Sequence, residues 1–213
     1  MSRDRDKPRK GAATAVREQL QQEQRRKRVW RAIGAAVIVA VAGVWAYRMV
    51  TDRRFTSSIT TAHYPAAQHV AGAITYRESP PLGGPHHVVW QNCGIYRVPL
   101  HNEHAVHALE HGAIWITYRP DLATMEIQRL QAAATDDYML LSPYPGLPAP
   151  VVVSAWNNQL QLTGADDPRL ARFIRDFKNN PVTTPEFGAS CLGGTTATAD
   201  MDSLNPRVGP MAR

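Results

Sequence analysis

A run of sixteen residues without a charge, Ala32 to Tyr47 (AIGAAVIVAVAGVWAY), lies between Arg31 and Arg48 and shows no polar face. At about 1.5 Å per residue it covers roughly 24 Å of the ~30 Å hydrocarbon core of a bilayer. Met49 and Val50 prolong the run and both arginines can snorkel. Trp30, Trp45 and Tyr47 stand where interfacial aromatics are found. The pattern predicts a transmembrane helix over residues 32–50, with a buried helix of a soluble protein as the plain alternative.

Beyond it the periodicity changes. Thr51 to Val89 is broken by Pro65, Pro80-Pro81 and Gly83-Gly84-Pro85, and reads as turns and extended segments. Asn102 to His111 suits a short helix, capped by Asn102 and ended by Gly112. Ala113 to Tyr118 (AIWITY), Tyr138 to Leu141 and Val151 to Ala155 read as strands, and Pro120 to Ala134 has roughly helical spacing. Val151 to Ala155 can pair with Gln159 to Leu162 across a turn at Asn157-Asn158. Leu170, Phe173, Ile174 and Phe177 make a helical apolar stripe, with Asp167 as N-cap and Pro168 in the first turn. Helices and strands alternate without a strict βαβ rhythm. The expected fold is therefore α+β, a single-pass N-terminal transmembrane helix followed by one mixed α+β outer domain over residues 51–192. Residues 193–213 have little to bury and read as a flexible C-terminal tail.

Charge refines this picture. Residues 1–31 hold eleven Lys/Arg and four Asp/Glu, against thirteen and fourteen in residues 48–213, so the net +6 belongs almost wholly to the N-terminal stretch. The outer domain is near neutral, which argues against nucleic acid as a partner. Residues 1–31, poor in apolar side chains, read as a disordered basic cytoplasmic tail. Six Lys/Arg between Ala12 and Arg31, against three between Arg48 and Ala67, place the N-terminus in the cytoplasm and the C-terminal domain outside the cell membrane. A cleaved signal peptide fits less well, because a charged region of about thirty residues is long for one and no small-x-small site follows the apolar core.

Several motifs carry a family resemblance. They are Pro80-Pro81 with Gly84 and His86, Cys93-Gly94-Ile95-Tyr96, Val106-His107-Ala108-Leu109-Glu110-His111-Gly112, Ser142-Pro143-Tyr144-Pro145, Ser154-Ala155-Trp156, and Pro185-Glu186 with Cys191. Together they resemble an uncharacterised bacterial membrane-anchored family, the domain-of-unknown-function family numbered 3105, from about residue 60 to 192. The chain departs from that pattern twice: Gly83 stands where a small hydroxyl residue is usual, and Asn157 where a glycine is usual. The resemblance implies topology and domain extent and leaves the activity to the residues.

Cys93 and Cys191 fall on the side where thiols are not kept reduced, so a disulfide is the plain reading. It would close a loop of about 100 residues, which chain entropy values at on the order of 4–5 kcal/mol. Without a C-x-x-C, thiol redox chemistry is disfavoured, and soft metal ligation by both sulfurs is the alternative.

All eight histidines lie between His63 and His111. On a helix from Asn102, the side chains of Glu103, His104, His107, Glu110 and His111 share one side, opposite Val106, Leu109 and Ala113. His107 and His111 are one turn apart and can converge on one ion, with His86, ahead of His87, completing the site from the Gly/Pro loop. Glu110 or Glu103 would accept the second N–H of an imidazole behind the ion. The same stripe is also what a solvated or hydrogen-bonded helix face looks like. All-imidazole ligation suits zinc or copper(II), and Met125, Met139 or a reduced cysteine would turn the preference to copper(I). His107 to His111 also spells H-x-x-E-H, with Glu186 near the place of an inverted zinc peptidase's third ligand, but such peptidases are built from much larger domains. No phosphate-binding glycine loop, nucleophile elbow or paired-carboxylate signature is present, which disfavours an enzyme.

The sequence thus points to a membrane-anchored outer domain that binds or handles a metal. A scaffolding subunit of a cell-envelope complex and a small metallohydrolase are the alternatives. Its expected partners are the lipid bilayer through residues 32–50 and an envelope protein. A phosphatase reporter that works only outside the cytoplasm should be active when fused after Arg213 and inactive when fused before Arg25. The opposite pattern would invert the orientation.

Overall fold

The computed structural model describes residues 7–201 and 204. Two compact units are present, residues 1–54 and 55–213. The N-terminal unit is the helix α1, Lys7–Ser57, whose bounds run past both ends of the expected 32–50 span. It is long and apolar enough to cross a membrane, and its apolar side chains Ile38, Val39, Val41 and Trp45 are exposed. Residues 7–31, expected to be disordered, continue the same helix. The physical reason is propensity. Glu18, Gln19, Leu20, Gln21, Gln22 and Glu23 are all helix formers, Glu23 pairs with Lys27 at 3.9 Å, and an apolar helix already formed removes the nucleation cost. Residues 1–6 lie outside the described residues.

The second unit is α+β, as its alternating pattern implied. A six-stranded mixed sheet has the order β1-β6-β5-β3-β4-β2. Its strands are β1 (Thr60–Thr61), β2 (Gly94–Ile95), β3 (Ile114–Tyr118), β4 (Met139–Pro143), β5 (Val151–Ala155) and β6 (Asn158–Leu162). β3 runs parallel to β4 and antiparallel to β5, so the helix α3 (Thr124–Ala133) makes the parallel crossover and β5–β6 is a hairpin. Every residue of β3, β4 and β5 is buried, because both faces of the sheet are covered. On one face, Ile114, Ile116, Met139, Leu141, Val151 and Val153 pack with Leu130 of α3 and with Leu170 and Phe173 of α4 (Arg169–Phe177). On the other, Trp115 and Leu140 pack with Ala105, Val106, Ala108 and Leu109 of α2 (Asn102–Glu110). The period-2 alternation along β3 thus divides the core into two layers.

Several local expectations shift by a residue. Asn102 is the first residue inside α2, and His101 takes the cap position without a side-chain cap bond. The His101 ring is drawn instead to the Met201 carbonyl, 2.7 Å from its Nε2. The hairpin turns at Trp156-Asn157, and Asn157 has φ +62°. Asp167 accepts the Arg169 backbone N–H at 3.1 Å, so it caps α4 while Pro168 holds the N-cap position. The expected loose tail is docked as far as it is described. Thr195 pairs with the Trp90–Asn92 segment through 2.8 and 2.9 Å backbone bonds, and Ala199 donates to Pro99 at 2.8 Å. Backbone pairing, not apolar burial, holds it there. Residues 205–213 lie outside the described residues.

Gly112 ends α2 at φ +99°, and a Cβ there would sit 2.9 Å from both Asn179 Cα and Thr184 Cγ2. A glycine therefore lets residues 179–184 close against the end of α2. The chain then continues so that Glu186 N–H reaches the Glu110 carbonyl at 3.2 Å. Cys93 and Cys191 are disulfide-bonded and tie this return segment to the loop before α2.

Gly83 and Asn157, the two departures from the family pattern, face one another. The Asn157 amide accepts the Tyr64 N–H at 2.8 Å and donates to its carbonyl at 3.1 Å, and a Cβ at Gly83 would meet Asn157 Oδ1 at 3.3 Å and Tyr64 Cδ2 at 3.0 Å. The asparagine amide thus occupies space that a side chain at position 83 would need. In a double-mutant cycle read by denaturant unfolding, Gly83→Ser should cost about 1–3 kcal/mol alone and much less beside Asn157→Gly. Additive effects would show the two positions to be independent.

Candidate metal centre

α2 is buried on all sides. Its apolar face lies on the sheet, and its His/Glu face lies under a layer of loops from residues 62–99 and 179–195. His104, His107, Glu110, His111 and Glu103 are at most 5% exposed, so the solvated-face alternative does not apply. Every buried polar group then needs a partner.

Four imidazoles find one in the same way. His86 Nδ1 lies 2.8 Å from the Gly84 carbonyl, His104 Nδ1 2.6 Å from that of Val89, His107 Nδ1 2.7 Å from that of His87, and His111 Nδ1 2.7 Å from that of Ser190. A carbonyl only accepts, so Nδ1 carries the proton in each ring and Nε2 is left as the second nitrogen. Backbone carbonyls thus fill the supporting position that the sequence analysis assigned to glutamates. They fix tautomer and ring direction as outer partners of ligating histidines do.

The freed nitrogens converge on carboxylates. His69, His86, His107 and Glu110 bring one ligand atom each to within 4.8 Å of one another, and so do His107, His111 and Glu186. His86 Nε2 and Glu110 Oε2 are 2.8 Å apart, both side chains are fully buried, and neither atom has a well-directed hydrogen bond. Two ligands at about 2.0–2.1 Å from one tetrahedral ion stand about 3.3 Å apart, so this pair, now at charge-assisted hydrogen-bond distance, would open by about 0.5 Å to share a cation. His111 Nε2 and Glu186 Oε2 are 3.1 Å apart, with Glu186 39% exposed at its side chain. Trp90 packs tilted against His111 and edge-on against His107, ring centroids 4.7 and 5.7 Å away, and so touches the two histidines of the second group.

The electrostatics agree with ligation. Burial pushes the His107 imidazole down to about 3, against the His87 carbonyl, which favours the charged form. It is neutral at ordinary pH, as a ligand must be. Burial opposes the charge of Glu110, but the His86 contact and the Ala67 N–H, 2.6 Å from Oε1, outweigh it and hold the carboxyl below its ordinary value.

His107 is thus the common member, with His86 on one side of it and His111 on the other. Glu110 stands within a group that could hold an ion, not behind it. Glu103 touches no imidazole nitrogen among the described contacts. It accepts the Ile74 N–H at 2.8 Å and anchors the covering loop. His69 carried no signal beyond its place in the histidine-rich stretch, since it reaches the site through a parallel bridge between residues 69 and 86. Glu186 was marked by its place beside Pro185 in the family motif and by its distance beyond the H-x-x-E-H pattern. Met125 is exposed on α3, Met139 lies in the layer across the sheet, and both cysteines are paired, so the soft copper(I) donors are elsewhere.

Compared with known proteins, the chain matches one family model, described as Protein of unknown function (DUF3105), over residues 69–193. The match covers more than half of the chain, encloses every residue of both ligand groups and leaves α1 outside. No curated protein and no solved structure matches.

His104 stands apart from both groups and its pKa is lowered, chiefly by burial and against the Val89 carbonyl. Because the folded form holds it neutral, the unfolded chain binds the extra proton below about pH 6.5, and stability falls as pH drops through that value. Each such group contributes up to about 1.4 kcal/mol per pH unit. His104→Asn keeps an N–H for Val89 and removes the titration. Denaturant unfolding of chelator-treated protein between about pH 7 and 5 should show a shallower loss of stability in the variant. Equal slopes in both proteins would refute the assignment.

Proposed function

The chain belongs to the DUF3105 family, whose description assigns no activity, and we propose that it is a membrane-anchored module that binds a divalent metal ion on the outer side of the membrane. The inner site is His86, His107 and Glu110, with the exposed His69 as fourth ligand. The observation that carries this reading is the fully buried pair His86 Nε2 and Glu110 Oε2, 2.8 Å apart and otherwise unpartnered. With Nδ1 committed to a carbonyl, this contact is favourable only if positive charge stands at Nε2, and an ion there also satisfies both orphaned atoms.

Three imidazoles and a carboxylate suit zinc or copper(II). α1 would anchor the domain through residues 32–50, and the excess of Lys/Arg before Ala32 supports a cytoplasmic N-terminus. The hydrolase alternative is weakened by Glu110 itself. A general base must reach a water that reaches a substrate, yet this carboxylate is fully buried between Ala67 N–H and His86. A scaffolding role would leave this contact as a fully buried His86–Glu110 ion pair, for which desolvation is costly.

Full-length protein purified in detergent and equilibrated with Zn²⁺ should hold a tightly bound ion and melt at higher temperature than the chelated form. His107→Asn keeps an N–H for the His87 carbonyl but removes Nε2. It should weaken zinc by more than the roughly 100-fold that losing an outer partner costs. Unchanged zinc affinity in this variant would reduce the cluster to a network that ties loops to α2.

A further inference from the structure

The two ligand groups overlap in one residue, and that overlap has a chemical consequence. His107 has a single lone pair to give, because its Nδ1–H is held by the His87 carbonyl at 2.7 Å. It cannot serve an ion among His86 and Glu110 and a second ion beside His111 and Glu186 at once. Filling the inner group leaves the outer one with two ligands, and filling the outer group leaves the inner one with three of its four.

Resting on the metal-binding reading above, we propose that His111 and Glu186 form a capture position for the ion, from which His107 hands it inward to His86 and Glu110. The exposures of the two carboxylates set the direction. Glu186 is 39% exposed and meets solvent, whereas Glu110 is fully buried. A hydrated divalent cation is attracted first to an exposed carboxylate, where it keeps most of its water. His111 supplies an imidazole nitrogen 3.1 Å from that carboxylate, its Nδ1–H held by Ser190. His107 is next, with its ring centroid 4.6 Å from that of His111 and 4.7 Å from that of His86. Exchange therefore proceeds by replacing one ligand at a time, and the ion is never without protein donors. Trp90, packed on both His107 and His111, keeps solvent from one side of this step. No bond other than metal–ligand bonds forms or breaks.

His69 is the other exposed member of the cluster, on the inner group. It offers an imidazole without a carboxylate, so it is a final ligand and not the attracting charge.

The test is kinetic. Metal-free full-length protein in detergent is mixed in a stopped-flow cell with Zn²⁺ and a chromogenic chelator, and stoichiometry is measured at saturation. One ion per chain is expected. Glu186→Gln should slow uptake and release equally, about tenfold for the lost charge, and His111→Asn, which keeps an N–H for Ser190 but removes the Nε2 ligand, should also slow both equally, with the affinity unchanged in each. Glu110→Gln should weaken affinity mainly by faster release. Absence of zinc binding by the parent protein overturns the metal-binding reading itself. Binding of one ion with unaltered rates in Glu186→Gln and His111→Asn, with slowed rates in His69→Ala, would place uptake on the His69 side and overturn the capture position alone. Two ions held together at saturation would also overturn it.

Discussion

The hydrogen bonds from histidine Nδ1–H to loop carbonyls hold the layer around α2 together. A short helix with five ionisable side chains on one face is covered on that face as well as on its apolar one. Covering it removes water from every polar atom, and each lost water contact must be replaced. The loops of residues 84–90 and 186–190 supply carbonyls, and the histidines supply N–H groups. In return the histidines give otherwise irregular chain a set of fixed anchoring points. The same bonds determine which nitrogen of each ring faces inward, so covering the helix and arming the site are one event.

The rest of the fold serves that layer. The sheet is buried on both faces, and its two layers are unequal. One is an ordinary apolar core of α3 and α4 on β-branched residues, while the other joins Trp115 and Leu140 to a helix whose far side is polar. The apolar half secures α2 in place, which leaves its polar half free to carry chemistry. Gly112, the Cys93–Cys191 bridge and the pairing of Thr195 with the Trp90–Asn92 segment bring the return segment beside α2. Glu186 reaches His111 only because of that return.

Much of this was legible in the sequence. The uncharged run 32–47, the apolar stripe from Leu170 to Phe177, the strands around Trp115 and Val153, and the one-sided arrangement of His104, His107, Glu110 and His111 all follow from periodicities of 3.6 and 2. The pairing of Cys93 with Cys191 followed from having two cysteines and from the expectation of an oxidising side. Where local expectation failed, a competing interaction won. His101 was drawn to Met201, the hairpin turn moved to the residue with positive φ, and helix propensity carried α1 through the basic stretch.

Local pattern determined which residues share a face, because face membership depends only on the geometry of one element. Tertiary structure alone decided what lies opposite that face. Whether a histidine stripe meets water, an apolar wall or a second layer of donors depends on loops distant in sequence, and loops carry no periodic signal. Hence His107 was found from the chain, whereas its position between two ligand groups was not. The roles of Glu110, Glu103, His69 and Glu186 depended in the same way on contacts 17 to 75 residues apart, from His69 with His86 at the near end to His111 with Glu186 at the far end.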